Sequence, residues 1–175
     1  TAACAAMDVV APTVGLITET NVPHEDNISY FGDGHNEAHM VYNFALPPLV
    51  LWTLHSGDCT YLAHWAASLS TPSLTTTFFN FLDSHDGIGL LPVRNILSPN
   101  EVQQLVDRTY AHGGLVSMRT NSDGTTTPYE LNIPWFNAIN SDNDGESPDI
   151  KIDRFLASRA IALTMKGVAA VYLPS

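Results

Sequence analysis

The residues best suited to chemistry stand where two apolar runs give out. Asp83, Ser84, His85 and Asp86 follow Thr77-Phe78-Phe79-Asn80-Phe81-Leu82 and precede Gly87-Ile88-Gly89, while Glu19 follows Val14-Gly15-Leu16-Ile17-Thr18. Carboxylates delivered by two strand ends to one rim are the usual equipment for breaking a glycosidic bond. One carboxyl group must be protonated to give the leaving oxygen its proton. The other must be ionised, either to attack the anomeric carbon or to stabilise oxocarbenium-like charge. His85 adds a donor for a sugar hydroxyl, and Tyr30, Phe31, Tyr129 and Trp135 offer apolar faces for a pyranose ring. A lone acid at a strand end is commonly a solvated cap, but Asp-Ser-His-Asp closing so apolar a run reads as a site. The Gly-x-Gly exit then lets the backbone turn sharply beside a bound ligand.

The remaining pattern says what positions these groups. Thr1 to Ala11 favours helix and Pro12 ends it, after which Val14 to Thr18 reads as a short strand. Met40 to Phe44 has strand character, and Leu46 to Leu54 is a helix entered through Pro47 and Pro48 and stopped by Gly57. Cys59 to Leu69 is an Ala-rich helix leading to the central aromatic strand, which is apolar enough for burial on both faces. Ser98-Pro99-Asn100-Glu101 is a capping box, and the helix it opens ends at Gly113-Gly114. The polar stretch 115–147 reads as one long loop, a lid or binding loop. A last helix opens at Ser147-Pro148, with Ile152, Phe155, Leu156, Arg159, Ala160 and Leu163 at helical spacing, and Val168 to Leu173 is the final strand.

Strands alternating with helices imply a parallel α/β sheet with right-handed crossovers. Both outer strands, 14–18 and 168–173, are apolar and lack the charges that protect an edge. The expected fold is therefore half of a (β/α)8 TIM barrel occupying residues 1–175, with 115–147 as a long βα loop. It would be completed by missing residues or by a second copy.

The totals narrow the function classes. Seven basic against 18 acidic residues give a net charge of −11, which disfavours nucleic acid and anionic membrane and suits a neutral, small carbohydrate. The two cysteines, Cys4 and Cys59, are too few for a disulfide framework and read as structural thiols. The first residues lack a basic segment and a long apolar core, and a cytoplasmic location is expected.

Two stretches carry a family resemblance. Leu16-Ile17-Thr18-Glu19-Thr20-Asn21-Val22-Pro23-His24 and Phe81-Leu82-Asp83-Ser84-His85-Asp86-Gly87-Ile88-Gly89 resemble the third and fourth signature regions of glycoside hydrolase family 13, the α-amylase superfamily. Their wording is similar to the sucrose phosphorylase-like subfamily, which includes glucosylglycerate phosphorylase-type enzymes. Tyr42 to Pro48, Pro128-Tyr129-Glu130-Leu131-Asn132 and Lys166-Gly167-Val168 extend the likeness. The resemblance implies strands 5 to 8, the C-terminal half of the catalytic barrel. It implies Glu19 as general acid/base, Asp86 as the transition-state-stabilising acid, and His85, Asn21, Tyr129 and Glu130 as substrate-binding residues. The family's nucleophile, the aspartate of an Arg-x-Asp, has no counterpart upstream of Glu19. Asn21 departs from the histidine that sucrose phosphorylases proper tend to carry nearby, so the acceptor stays open.

The implied activity is transfer of glucosyl from sucrose-like or glucosylglycerate-like substrates to inorganic phosphate as co-substrate, with no cofactor. Hydrolysis of small α-glucosides and a non-catalytic half-barrel are the alternatives, and the fragment alone is expected to be inactive. Phosphate binding favours arginine, and of the seven basic residues only Arg94 and Arg119 lie in loops near a mouth, so the composition is mildly unfavourable to phosphate and phosphorolysis rests on the resemblance alone. His35, Glu37 and His39 do not fit a zinc motif, and Asp142 to Glu146 lacks the glutamate that closes a calcium loop, so no metal is expected. Trp52 and Trp65 lie in apolar helices and read as core.

Overall fold

A computed structural model describes residues 2–173, so Thr1, assigned above to the first helix, lies outside the described residues. The chain runs α1 (Ala2–Val10), β1 (Ile17–Thr18), α2 (His24–Ser29), β2 (Met40–Tyr42), α3 (Leu46–Ser56), α4 (Thr60–Ser68) and β3 (Thr77–Asn80). It continues through β4 (Ile88–Gly89), a 3-10 turn (Leu91–Val93), α5 (Pro99–Ala111), β5 (Leu115–Thr120), β6 (Thr126–Asn132), α6 (Trp135–Ile139), α7 (Pro148–Thr164) and β7 (Val168–Ala169).

Two sheets result. One is parallel, in the order β1-β2-β3-β7, with Ile17 opposite Met40, Val41 opposite Phe78 and Phe79 opposite Val168. The expectation of a mixed α/β chain with a parallel sheet in chain order is met. The other sheet is antiparallel, in the order β4-β6-β5, and with α6 it replaces most of the structureless loop expected over 115–147, leaving 140–147 irregular. Asn121, Asp123 and Gly124 make the turn that closes it. Thr125 N–H donates to Asp123 Oδ1 at 2.9 Å, and Gly124 has a φ of 82° that favours glycine. The Asp-Gly between alternating residues was a hairpin signal that the polar composition masked.

The outer strands are also shorter than their apolar runs, 17–18 rather than 14–18 and 168–169 rather than 168–173. Each has a ladder partner on only one side among the described residues. The central strand ends at Asn80 and its burial alternates, so it is not buried on both faces. Phe78 packs edge-on against Phe31 on one side, while Phe79 stacks on Tyr42 on the other.

The main core lies between α3, α5, α6 and the hairpin, around Leu49, Val50, Leu105, Leu131 and Trp135. The α3 helix enters it through Pro47 and Pro48, whose missing N–H groups cost nothing in a first turn, and leaves at Gly57 with a left-handed φ of 73°. Trp52 and Trp65 are buried as expected. Of the cysteines, Cys4 is buried and Cys59 is exposed at the start of α4, because that position precedes the helix rather than facing the core. The apolar spacing of α7 is misleading: Ile152, Leu156 and Leu163 are exposed, and of the spaced residues Arg159 alone is buried, together with Ser158 and Ala162.

Helix α5 carries the expected capping box, in which Ser98 Oγ accepts from Glu101 N–H and Glu101 accepts from Ser98 N–H at 2.6 Å. Ser98→Ala should cost about 1 kcal/mol, a typical N-cap loss, measurable as a lower denaturant midpoint of the full-length protein.

His55 in the last turn of α3 meets Arg108 of α5, with Nη1 3.3 Å from Nδ1. Burial first, then the charges of Arg108 and His112, lower its pKa from an ordinary 6.5 to about 4. The unfolded chain therefore takes up this proton before the folded protein does. The stability contribution is intact above pH 6.5 and is lost progressively as pH falls from 6.5 to about 4. His55→Gln is expected to flatten the decline of Tm across that window, which thermal unfolding at stepped pH would check.

Candidate active site

Parallel strands present their carboxyl ends along one edge, so the residues that follow β1 and β3 meet above β2. Glu19, one residue past β1, and His85 and Asp86, beyond β3, bring a carboxylate oxygen, a ring nitrogen and a second carboxylate oxygen all within 4.8 Å of one another. His85 Nε2 stands 3.5 Å from Asp86 Oδ2. All three residues are exposed. Asp86 N–H donates to Ser84 Oγ at 3.1 Å, which tightens the turn that presents them.

The other residues expected at the site divide between two hollows. Asp86, His85 and Glu130 line a cavity of about 420 Å³ together with Asp83, Asn132 and Tyr172. Asn21 and Tyr129 line a second hollow of about 380 Å³ with Leu91, Met118 and Arg119. A hydrogen bond connects the two sets, Asn21 Nδ2 donating to Glu130 Oε1 at 3.2 Å. Burial raises the pKa of Glu130, the Asn21 hydrogen bond opposes the rise, and the charge of Asp86 adds to it.

Gly87 and Gly89 owe their place to the protein rather than to a ligand. A Cβ on Gly87 would lie 2.8 Å from the Leu131 carbonyl of β6, and one on Gly89 would lie 2.6 Å from Asn21 Oδ1. Hence the hairpin and Asn21 close directly onto the strand exit. Neither glycine has a positive φ.

Several expected contributors are elsewhere. Phe31 and Trp135 are fully buried and cannot stack on a sugar, since Phe31 packs on Phe78 and Trp135 Nε1 donates to Ser158 Oγ at 2.9 Å. Tyr30 and Tyr129 are half-buried. Arg119 lies on β5, not in a loop, and Arg94 follows the 3-10 turn beside a hollow lined by Leu90, Leu97 and Pro128. Among the described residues His35, Glu37 and His39 form no ligand cluster. Two acids of 142–146 pair with cations of α7, Asp144 with Lys151 at 3.1 Å and Glu146 with Arg154 at 2.7 Å.

Two contacts escaped the pattern. Tyr42 of β2 lies close enough for the charge of Glu19 to add to the effect of burial in raising its phenol pKa. Asp83 forms a two-pronged ion pair with Arg159 of α7, which only an arginine in the buried stripe of that helix could have betrayed.

No family model matches the chain. It is 52% identical over 169 residues to a glucosylglycerate phosphorylase of Allomeiothermus silvanus, a match covering 97% of this chain and 30% of that protein. The glucosylglycerate phosphorylase of Escherichia coli is 47% identical over the same shares. A sucrose phosphorylase of Agrobacterium vitis is 30% identical over 75% of the chain. The crystal structure of sucrose 6F-phosphate phosphorylase from Thermoanaerobacter thermosaccharolyticum superposes with a TM-score of 0.72 at 22% identity, covering 91% of this chain and 30% of that one. The chain thus spans about three-tenths of the length of the relatives it matches. It is similar over nearly all of its own length to one segment of the glucosylglycerate phosphorylases, and over three quarters of its length to a segment of a sucrose phosphorylase, the sucrose phosphorylase-like group of glycoside hydrolase family 13 that its strand-end motifs resemble.

Proposed function

We propose that residues 1–175 form the C-terminal half of the catalytic barrel of a retaining α-glucoside phosphorylase. The enzyme would transfer glucosyl from glucosylglycerate-like or sucrose-like substrates to phosphate. The observation that carries this reading is the convergence of Glu19, His85 and Asp86 within 4.8 Å at the carboxyl edge of a parallel sheet. Exposed apolar side chains at both ends of that sheet, Ile17 on β1 and Val168 on β7, support completion by further strands.

In the proposed sequence, Glu19 as carboxylic acid gives its proton to the glycosidic oxygen as the C1–O bond breaks. A carboxylate supplied from outside these residues bonds to C1, while ionised Asp86 stabilises the positive charge passing through that carbon. A phosphate oxygen then attacks C1 and displaces the enzyme carboxylate, and Glu19 recovers a proton from the phosphate. His85, Asn21, Tyr129 and Glu130 would bind the sugar and the acceptor. Arg119, which lines a hollow with Asn21 and Tyr129, would meet the phosphate dianion. These steps need no cofactor.

The test is product identity. The full-length protein, given glucosylglycerate or sucrose in phosphate buffer, should release α-glucose 1-phosphate, and the segment 1–175 alone should turn over neither. Free glucose as the sole product would identify a hydrolase, and no product from either substrate would favour a non-catalytic barrel.

Among the described residues no helix is long and apolar enough to cross a membrane.

A further inference from the structure

We propose that Arg159 is a positioning residue, acting through Asp83 to hold Asp86 opposite Glu19; the inference rests on the catalytic reading above. Arg159 Nη1 donates to Asp83 Oδ1 at 2.8 Å and Nη2 donates to Asp83 Oδ2 at 2.6 Å, with both side chains only 9% exposed. A planar fork on a carboxylate fixes rotation as well as distance, which a single hydrogen bond does not. The guanidinium carbon itself lies over the Phe155 ring, 4.7 Å from its centroid.

The pair sits at the start of a short irregular turn. Asp83 lies three residues beyond the end of β3 and three before Asp86, and no strand or helix hydrogen bonds hold 83–86. At its far end the turn is trapped by Gly87 against the Leu131 carbonyl of β6. Anchored at one end by α7 and at the other by the hairpin, it sets Asp86 where Glu19 can face it. The charge balance points the same way. Asp83, Asp86 and Glu130 all line the 420 Å³ cavity, and no lysine or arginine is among the described residues lining it. Arg159, from behind, neutralises Asp83, so that the negative charge at the rim is left to the groups placed there. Displacement of a reacting group by about 1 Å can cost on the order of 10²-fold in rate, so small freedom in this turn matters.

A merely structural role makes a different prediction, because buried ion pairs can often be replaced by apolar residues without loss of stability. In the full-length protein, Arg159→Leu and Asp83→Leu should each lower kcat by about 10²-fold with KM changed little, since Asp86 acts on the transition state. The double variant Asp83→Leu/Arg159→Met should recover the thermal midpoint yet keep the kcat loss, and Arg159→Lys should recover only part. A crystal structure of the double variant should show the Glu19 and Asp86 side-chain atoms no longer within the 4.8 Å of the unaltered protein. Recovery of kcat together with stability, or an unchanged separation, would overturn the proposal. If the unaltered protein releases no product from either sugar, the catalytic reading fails separately, and the crystallographic separation alone decides whether Arg159 positions Asp86.

Discussion

Glu19→Gln in the full-length protein should lower kcat for glucosylglycerate or sucrose by about 10²–10⁴-fold, the range a general acid contributes. The amide keeps the size and hydrogen-bonding reach of the side chain but has no proton to give the departing oxygen. The loss should therefore depend on the leaving group. With α-glucosyl fluoride, whose fluoride departs without needing a strong proton donor, the first step should be nearly as fast as in the unaltered protein. The comparison of the two substrates is the measurement that checks it. An equal loss on both would mean that Glu19 is needed for something other than proton donation. Its exposed position beside Asp86 and His85 makes the first outcome the expected one, because nothing in the core depends on it.

Gly167→Ala is expected to cost about 2–6 kcal/mol, summing backbone strain and overpacking of about 1–3 kcal/mol each. Gly167 has a φ of 138°, and a Cβ there would fall 2.5 Å from the Phe78 carbonyl and 2.7 Å from Asn80 Nδ2. A carbonyl of β3 cannot give way without breaking the ladder. Asn80 cannot give way freely either, since its Nδ2 donates to Lys166 O at 3.1 Å while its Oδ1 accepts from Asn43 Nδ2 at 2.9 Å. Those two amides tie β2, β3 and the approach to β7 together, so the added methyl would pry β7 from the sheet. Thermal unfolding of the variant against Gly15→Ala, where a Cβ meets nothing within 4 Å, gives the comparison. A midpoint for Gly167→Ala equal to that control would show that the β3 to β7 junction is looser than its packing indicates.

The parts of this protein that local pattern determined are those whose cause is local. The capping box of α5 and the proline entry and glycine exit of α3 follow from residues within a few positions of one another. So does the placement of Glu19 directly after β1, and its meeting with Asp86, in the turn beyond β3, follows because parallel strands must end along a common edge. Tertiary structure alone decided what depends on distant partners. Polar composition over 115–132 read as loop because the ladder that makes it a hairpin pairs Ser117 with Glu130 and Ile88 with Leu131, and β-pairing is repaid across the chain rather than along it. Trp135 and Phe31 look like sugar platforms in one dimension, but large rings gain most from burial, and Ser158 and Phe78 wait for them in the fold. The Asp83 and Arg159 pair joins residues 76 positions apart. An acid near a motif and an arginine in a helix are each ordinary alone, and only the approach of α7 to the turn beyond β3 brings the two charges out of water together, where pairing becomes obligatory.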